Sequence, residues 1–314
     1  MGLTIGVDVG GTKIAAGAVD VLGRIVRSAG CPTPAESAGA VETAIVDLVD
    51  QVRADLPVEA VGIGAAALVD ASRSRVVFAA NIGWEDEPLG ERVAARTGLP
   101  TVVENDANSA AWAEFRFGAG RGWDDLALVV IGTGVGGGSV VAGSLVRGAH
   151  GAAGEIGHVQ VVADGRACGC GQVGCLEQYA SGRALLRVAR ELAQDHPQGA
   201  STLLGLGDGT VAGIDGPHVA EAARRRDALA LAVFEEVGRH LGHGLAQLSA
   251  VLDPGCFLLG GGVSEAGDLL LDPTRRSYVQ SLVARRHRVP AEIRCAELGN
   301  AAGLIGAADL ARSR

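Results

Sequence analysis

Leu-Thr-Ile-Gly-Val-Asp-Val-Gly-Gly-Thr-Lys-Ile-Ala-Ala-Gly-Ala-Val, residues 3–19, decides the fold class. Leu3, Ile5, Val7 and Val9 alternate with Thr4, Gly6 and Asp8, the period-two pattern of a strand. Gly10, Gly11, Thr12 and Lys13 turn the chain, and residues 14–19 read as a second strand. The two glycines let backbone N–H groups approach an anion, Thr12 and Lys13 add donors, and Asp8 at the loop's edge suits a hydrated Mg²⁺. A plain hairpin turn with an exposed lysine explains the same residues equally well.

The unit then recurs. Residues 126–131 read as a strand, Gly132-Thr133-Gly134-Val135-Gly136-Gly137-Gly138 as a glycine loop, and residues 139–142 as a strand again. A repeated strand–glycine loop–strand unit predicts a duplicated α/β architecture with one phosphate loop per half. Gly132, Gly134 and Gly137 match GxGxxG, but the dinucleotide fingerprint must open a helix, and here a strand follows. Gly6 and Gly11 have Walker spacing, yet Thr12 stands where the lysine is required. A third glycine turn, Gly260-Gly261-Gly262, follows the apolar run 256–259 and suits the close approach of a flat base or ribose.

Between these landmarks, Val41, Ala44, Ile45, Leu48, Val49 and Val52 share one helical face, and residues 61–66 read as a buried strand. Asn81-Ile82-Gly83-Trp84 is a polar–aromatic loop, offering either an amide and a ring to a ligand or a capping Asn beside a half-buried Trp. Residues 101–104 form a strand that runs into Asn105-Asp106-Ala107-Asn108 and a helix ending near 117. Asp106 at that junction fits a helix cap, and it also fits a proton acceptor kept ionised by the helix dipole. Further helices are expected over 178–192, 217–223, 227–252 and 299–311, with 205–216 a glycine-rich connection. Phe234, Val237, Leu241, Leu245, Leu248 and Val251 form one stripe on the longest of them.

Composition excludes several function classes. A chain of 314 residues has room for two domains, and 48% hydrophobic with 20% charged residues describes a soluble globular protein. The net charge of −9 argues against a nucleic-acid surface, and Arg224-Arg225-Arg226 is a short solvated face. Residues 126–146 lack charge but contain six glycines, which makes them poor material for a membrane helix. With strand pattern from Leu3 and no basic leader, a cytoplasmic location is expected.

One stretch carries metal chemistry. His158, Cys168, Cys170 and Cys175 place one imidazole and three thiols within eighteen residues, a set that suits tetrahedral Zn²⁺. Four protein ligands leave no open position, so the ion is structural and pins a loop flanked by Glu155 and Glu177. A disulfide in the CxC pair would be strained. Cys31, Cys256 and Cys295 lie far apart and read as small buried hydrophobes.

Taken in order, Asp8-x-Gly-Gly-Thr-Lys13, Glu104-Asn105-Asp106, Gly132-Thr-Gly-x-Gly136, Gly154-Glu155-Ile-Gly-His158, Cys168-x-Cys170-x4-Cys175-x-Glu177 and Gly260-Gly-Gly262 resemble the ROK family of sugar kinases over nearly the whole chain. The resemblance implies a two-lobed, actin-like α/β fold of the hexokinase and heat-shock ATPase superfamily, with sugar in the cleft between lobes. It implies a smaller lobe over 1–118, a larger one with the metal loop over 119–298, and a last helix in 299–314 packed back on the first. By motif, Asp106 is the general base for a sugar 6-hydroxyl, and Asn105, Glu155, His158, Glu177 and Asn81 hold ring hydroxyls. His158 would serve zinc with one ring nitrogen and sugar with the other. Asp8, Gly10, Gly11, Thr12, Lys13, Gly132, Thr133, Gly134 and Gly136 would hold the phosphates of ATP with Mg²⁺, and Gly260, Gly261 and Gly262 would lie near the adenosine. The implied reaction is glucose to glucose 6-phosphate, in a homodimer or homotetramer. Rival readings are another hexose (N-acetylmannosamine, N-acetylglucosamine, mannose or fructose), polyphosphate as donor, and a non-catalytic sugar sensor. Ala65-Ala66-Ala67 stands where members often have Gly or Pro-Gly, which bears on hydroxyl preference. Repressor members carry an N-terminal winged helix, and none is expected here, so no DNA partner is expected.

Overall fold

A computed structural model describes residues 2–34, 37–79 and 82–312. The chain runs β1 (Leu3–Val9), β2 (Lys13–Val19), β3 (Ile25–Pro32), α1 (Ala38–Arg53), β4 (Val58–Ala65), β5 (Leu68–Val69), β6 (Val76–Ala79), β7 (Trp84–Glu87), α2 (Leu89–Thr97), β8 (Thr101–Asn105) and α3 (Asp106–Phe117). It continues with β9 (Leu126–Ile131), β10 (Val135–Val141), β11 (Ser144–Leu145), α4 (Glu177–Ala180), α5 (Gly182–Asp195), α6 (Ser201–Leu206), α7 (Gly216–Arg224), α8 (Ala228–Leu252), β12 (Cys256–Gly260), α9 (Asp268–Ser281), β13 (Glu292–Cys295) and α10 (Ala302–Leu310).

The duplication read from the glycine loops is real at the level of topology. One five-stranded sheet has the order β3-β2-β1-β4-β8 and the other β11-β10-β9-β12-β13, the same 3-2-1-4-5 pattern twice. In the first sheet β1–β2 and β2–β3 pair antiparallel while β1–β4 and β4–β8 pair parallel. That register puts Asp8 opposite Gly64 and Gly64 opposite Glu104, so the loops after β1, β4 and β8 leave from one edge. Ligands of open α/β sheets bind at such carboxyl edges.

Residues group into two compact units, Met1–Leu128 with Gly137–Gly154 and Ala296–Arg314, and Val129–Gly136 with Glu155–Cys295. The breaks expected after 118 and 298 thus move, and 137–154, expected in the larger lobe, packs with the first unit. In that unit α1 buries Val41, Ile45, Val46, Leu48, Val49 and Val52 in a core shared with Ile5, Val7, Ile14 and Ile63. Ser37 caps α1 by accepting from the Ala40 N–H. On the opposite side α10 lies directly on the strands. A Cβ on Gly6 would sit 1.9 Å from the Leu304 carbonyl oxygen and one on Gly62 1.8 Å from that of Ala307. The glycines in β1 and β4 let a helix backbone touch a sheet backbone.

In the second unit α8 packs against α9, with Phe234, Val237, Leu241, Leu245 and Leu248 buried. Val251, expected on that stripe, is 83% exposed, because Asp253 ends the helix in the left-handed region two residues later. The helix expected over 178–192 is two helices, since Ser181 leaves helical geometry and caps α5 through the Ala184 N–H. β10 starts at Val135, not Ser139, so Gly136 lies in a strand and not in the loop. Gly138, which belongs to the first unit, serves packing there: a Cβ on it would meet Ala111 Cβ and Asn108 Oδ1 at 2.9 Å. Residues 201–206, inside or beside the expected connection, form α6, and β13 is a strand the pattern did not disclose. Among the described residues no helix is long and apolar enough to cross a membrane.

The Gly62→Ala variant is expected to lose about 3 kcal/mol or more, since its methyl meets backbone that cannot rotate away. Urea unfolding measures this, and a midpoint equal to wild type would refute the close-approach account.

Candidate functional site

In the first unit the candidate groups lie where the parallel strands end. Asn105, not Asp106, is the N-cap of α3: its Oδ1 accepts from the Asn108 N–H at 3.0 Å. Its Nδ2 donates to the Ala67 carbonyl at 3.2 Å, so one amide hydrogen is left for a hydroxyl. Asp106 is thereby released from capping and sits in the first turn, with Oδ1 accepting from the Ala107 N–H at 2.8 Å. Burial raises the Asp106 carboxyl above its ordinary value, partly opposed by the Ala107 and Asp106 backbone N–H groups and by Asn105. Asp8 is pushed up to about 6, first by burial and then by the charge of Asp106. The two carboxylates therefore feel one another, and a cation between them and a phosphate would relieve both. The turn after β1 is tied back by Gly10 N–H to the Lys13 carbonyl at 3.0 Å and by the Thr33 hydroxyl to the Gly10 carbonyl at 2.7 Å, while Gly11, Thr12 and Lys13 stay exposed.

In the second unit the loop of Gly132, Thr133 and Gly134 is held from one side. The Gly182 N–H donates to the Gly132 carbonyl at 2.8 Å, and Arg183 Nε donates to the Thr133 carbonyl at 3.0 Å. Glu177 lies on the same side, 2.7 Å from where a Gly134 Cβ would be. Arg183 had no signal in the sequence, because only the fold brings the start of α5 to the loop. After β12, Gly261 adopts φ 83° with a Cβ position 2.5 Å from the Ile131 carbonyl oxygen, which only glycine allows. Gly260 ends the strand, and Gly262 opens a 3₁₀ turn with open space at its Cβ.

The His–Cys group is assembled as its spacing predicts. Its four ligand atoms all lie within 4.8 Å of one another. A tetrahedral ion with bonds of about 2.3 Å to sulfur and about 2.0 Å to nitrogen sets sulfur pairs about 3.8 Å apart and sulfur–nitrogen pairs about 3.6 Å apart. Cys170 and Cys175 Sγ are 3.7 Å apart and Cys168 Sγ is 3.6 Å from His158 Nδ1. Burial and the neighbouring thiols push Cys175 up to about 12 and burial also raises Cys168, while the Gln172 backbone N–H lowers Cys170; a divalent cation would bind all three as thiolates. His158 turns Nε2 the other way, 3.9 Å from Glu155 Oε2. Glu177 Oε1 accepts from Cys168 Sγ at 3.1 Å, which brings that carboxylate to the same loop. The loop is braced by Tyr179, whose hydroxyl accepts from the Arg166 N–H at 2.7 Å while its ring stacks on His240 at 4.7 Å. All six cysteines are free; Cys256 is buried as expected of a small hydrophobe, whereas Cys31 and Cys295 are only half-buried.

Asn81 lies outside the described residues. Trp84 beside it opens β7 and is 1% exposed, so its ring belongs to the core and not to a ligand.

The family model for the ROK family matches residues 4–314. The chain belongs to the ROK family. It is 52% identical to a glucokinase of Streptomyces coelicolor over 99% of this chain and 98% of that one. A crystal structure of a ROK family glucokinase from Streptomyces griseus in complex with glucose and AMPPNP matches with a TM-score of 0.89 and 53% identity, covering 100% of both chains. An N-acetylmannosamine kinase of Escherichia fergusonii is 32% identical over 98% of both chains. The fold is the actin-like ATPase fold of these sugar kinases.

Two outcomes follow from the electrostatics. Metal analysis of purified protein is expected to find one zinc per chain, lost together with several degrees of thermal midpoint in Cys175→Ser; a metal-free preparation with an unchanged midpoint would overturn the loop assignment. Asp8, raised from 3.8 to about 6, contributes stability that is fully present below pH 3.8 and lost as pH climbs through about 6. Asp8→Asn should therefore raise the thermal midpoint of magnesium-free protein at pH 8 and change it little at pH 4, and a lower midpoint at pH 8 would contradict the burial of this charge.

Proposed function

We propose that this chain is an ATP-dependent glucokinase, moving the γ-phosphoryl group of ATP to the 6-hydroxyl of glucose. The observation that carries the reading is the full-length match to the glucose- and AMPPNP-bound Streptomyces griseus enzyme, at 53% identity. The geometry of Asp106 is the chemical support. Its carboxyl is free of capping duty and raised by burial. A stronger base than an ordinary carboxylate, it takes the hydroxyl proton as bond formation to phosphorus makes that proton acidic.

Phosphoryl transfer passes through a loose transition state, so alignment and charge stabilisation carry most of the rate. Asn105, Glu155, His158 and Glu177 hold the ring hydroxyls, with Asn81 assisting, and so aim the 6-hydroxyl at Asp106. Backbone N–H groups at Gly11, Thr12, Thr133 and Gly134, with Lys13, cradle the phosphates in loops that Gly10 and Gly132 close through their own N–H bonds to the Lys13 and Gly134 carbonyls, and Gly260, Gly261 and Gly262 give room to the adenosine. Asp8 would hold Mg²⁺, which would supply positive charge against the charge that develops on the transferred phosphoryl group. His158, Cys168, Cys170 and Cys175 would hold Zn²⁺ as a structural ion, which would fix the ring of His158 with Nε2 left for a sugar hydroxyl.

The 32% identity to an N-acetylmannosamine kinase makes the sugar the open variable. A coupled assay over glucose, mannose, fructose, N-acetylglucosamine and N-acetylmannosamine, each with ATP and with polyphosphate, is expected to give its highest kcat/KM for glucose with ATP. Asp106→Asn should lower kcat by about 10²–10⁴-fold with the fold intact. Near-normal turnover in that variant would remove Asp106 from its role.

A further inference from the structure

Within Glu104-Asn105-Asp106, Glu104 has no task in the chemistry above, yet it is the most firmly anchored of the three. Its side chain is buried. Oε1 accepts from the Asn105 N–H at 3.0 Å and from Asn108 Nδ2 at 3.1 Å. Oε2 accepts from Arg147 Nε at 2.5 Å, with Arg73 Nε 3.7 Å away. Asn105 and Asn108 stand on either side of Asp106, so one oxygen holds the chain before and after it.

The other oxygen holds a second segment. Arg147 opens a turn closed by the Ala153 N–H donating to the Arg147 carbonyl at 3.0 Å. The turn ends at Gly154, at φ 100°, where a Cβ would lie 2.9 Å from the Gly137 carbonyl oxygen and 3.2 Å from Asn108 Oδ1. Asn108 Oδ1 is itself buried with no hydrogen-bond partner among the described residues. Glu155 and His158 come next in the chain.

A buried ion pair seldom stabilises a fold more than apolar residues of like volume, because desolvation offsets the attraction. What it supplies is a fixed distance and direction between two backbones. We propose that Glu104, acting through Arg147, is a positioning residue for phosphoryl transfer: it locks the β8–α3 junction that carries Asp106 to the 147–154 turn that leads into the sugar-binding residues. The role rests on the general-base reading of Asp106.

The test is Glu104→Gln combined with Arg147→Met. Gln keeps an acceptor for Asn105 and Asn108, Met removes the Arg147 guanidinium that would otherwise face a neutral amide, and Arg73 keeps its bond to the Leu310 carbonyl. The double variant should keep its thermal midpoint within about 5 °C of wild type and its KM for ATP within about twofold. Its kcat should fall at least about tenfold, as expected when reacting groups are displaced by a fraction of an ångström. Arg147→Lys alone, which keeps the charge, should recover part of that loss. A kcat within twofold of wild type would overturn the role, and so would a loss that disappears when the assay is run at a temperature where the variant is fully folded. Asp106→Asn, run alongside, keeps the two readings apart: turnover surviving there overturns the general base, whereas turnover lost there but intact in the double variant overturns the positioning role alone.

Discussion

The structure turns on a repulsion that the fold sustains. Asp8, next to the last residue of β1, and Asp106, at the first turn after β8, belong to strands separated only by β4. Parallel pairing brings both to one edge, and burial raises both carboxyls above their ordinary values. Such an arrangement costs stability and is kept only where charge is put to use. In the proposed reaction a cation would take up one carboxylate and a sugar hydroxyl the other. The close contact of α10 with β1 and β4, through Gly6 and Gly62, holds this edge from behind.

The metal loop solves a different problem. Glycine-rich chain has little side-chain packing to fix it, and Glu155 and Glu177 are of use only if they point consistently. Three thiols and an imidazole gathered by loop backbone bonds, with Tyr179 wedged against His240, fix the segment at several points. Because His158 turns its two nitrogens in opposite directions, one ring joins the brace to the binding surface. In the proposed function an ion there would supply shape and take no part in the reaction.

Much of this was legible in the residues. The glycine loops after apolar strands announced the duplicated sheet, and ligand spacing announced the His–Cys group, because both depend on neighbours in sequence. Asp106 was legible as a residue of the junction but not as freed from capping, since choosing between Asn105 and Asp106 as cap takes backbone angles. Trp84 stayed open between a ligand surface and a half-buried ring because composition cannot tell a core indole from an exposed one. Gly136 was read as loop where it is strand, since a run of glycines looks like a turn whether or not the chain turns there. Arg183 and Arg147 were silent: their partners, Thr133 and Glu104, lie 50 and 43 residues away. Long-range pairs of that kind leave no period and no motif.

The most direct test is a crystal structure of this chain with glucose and a non-hydrolysable ATP analogue. The account predicts a carboxylate oxygen of Asp106 within about 2.6–3.2 Å of the glucose 6-oxygen, hydrogen-bond reach for a proton acceptor. A 6-hydroxyl bonded elsewhere, with Asp106 turned away or neutralised by a fixed cation, would contradict it.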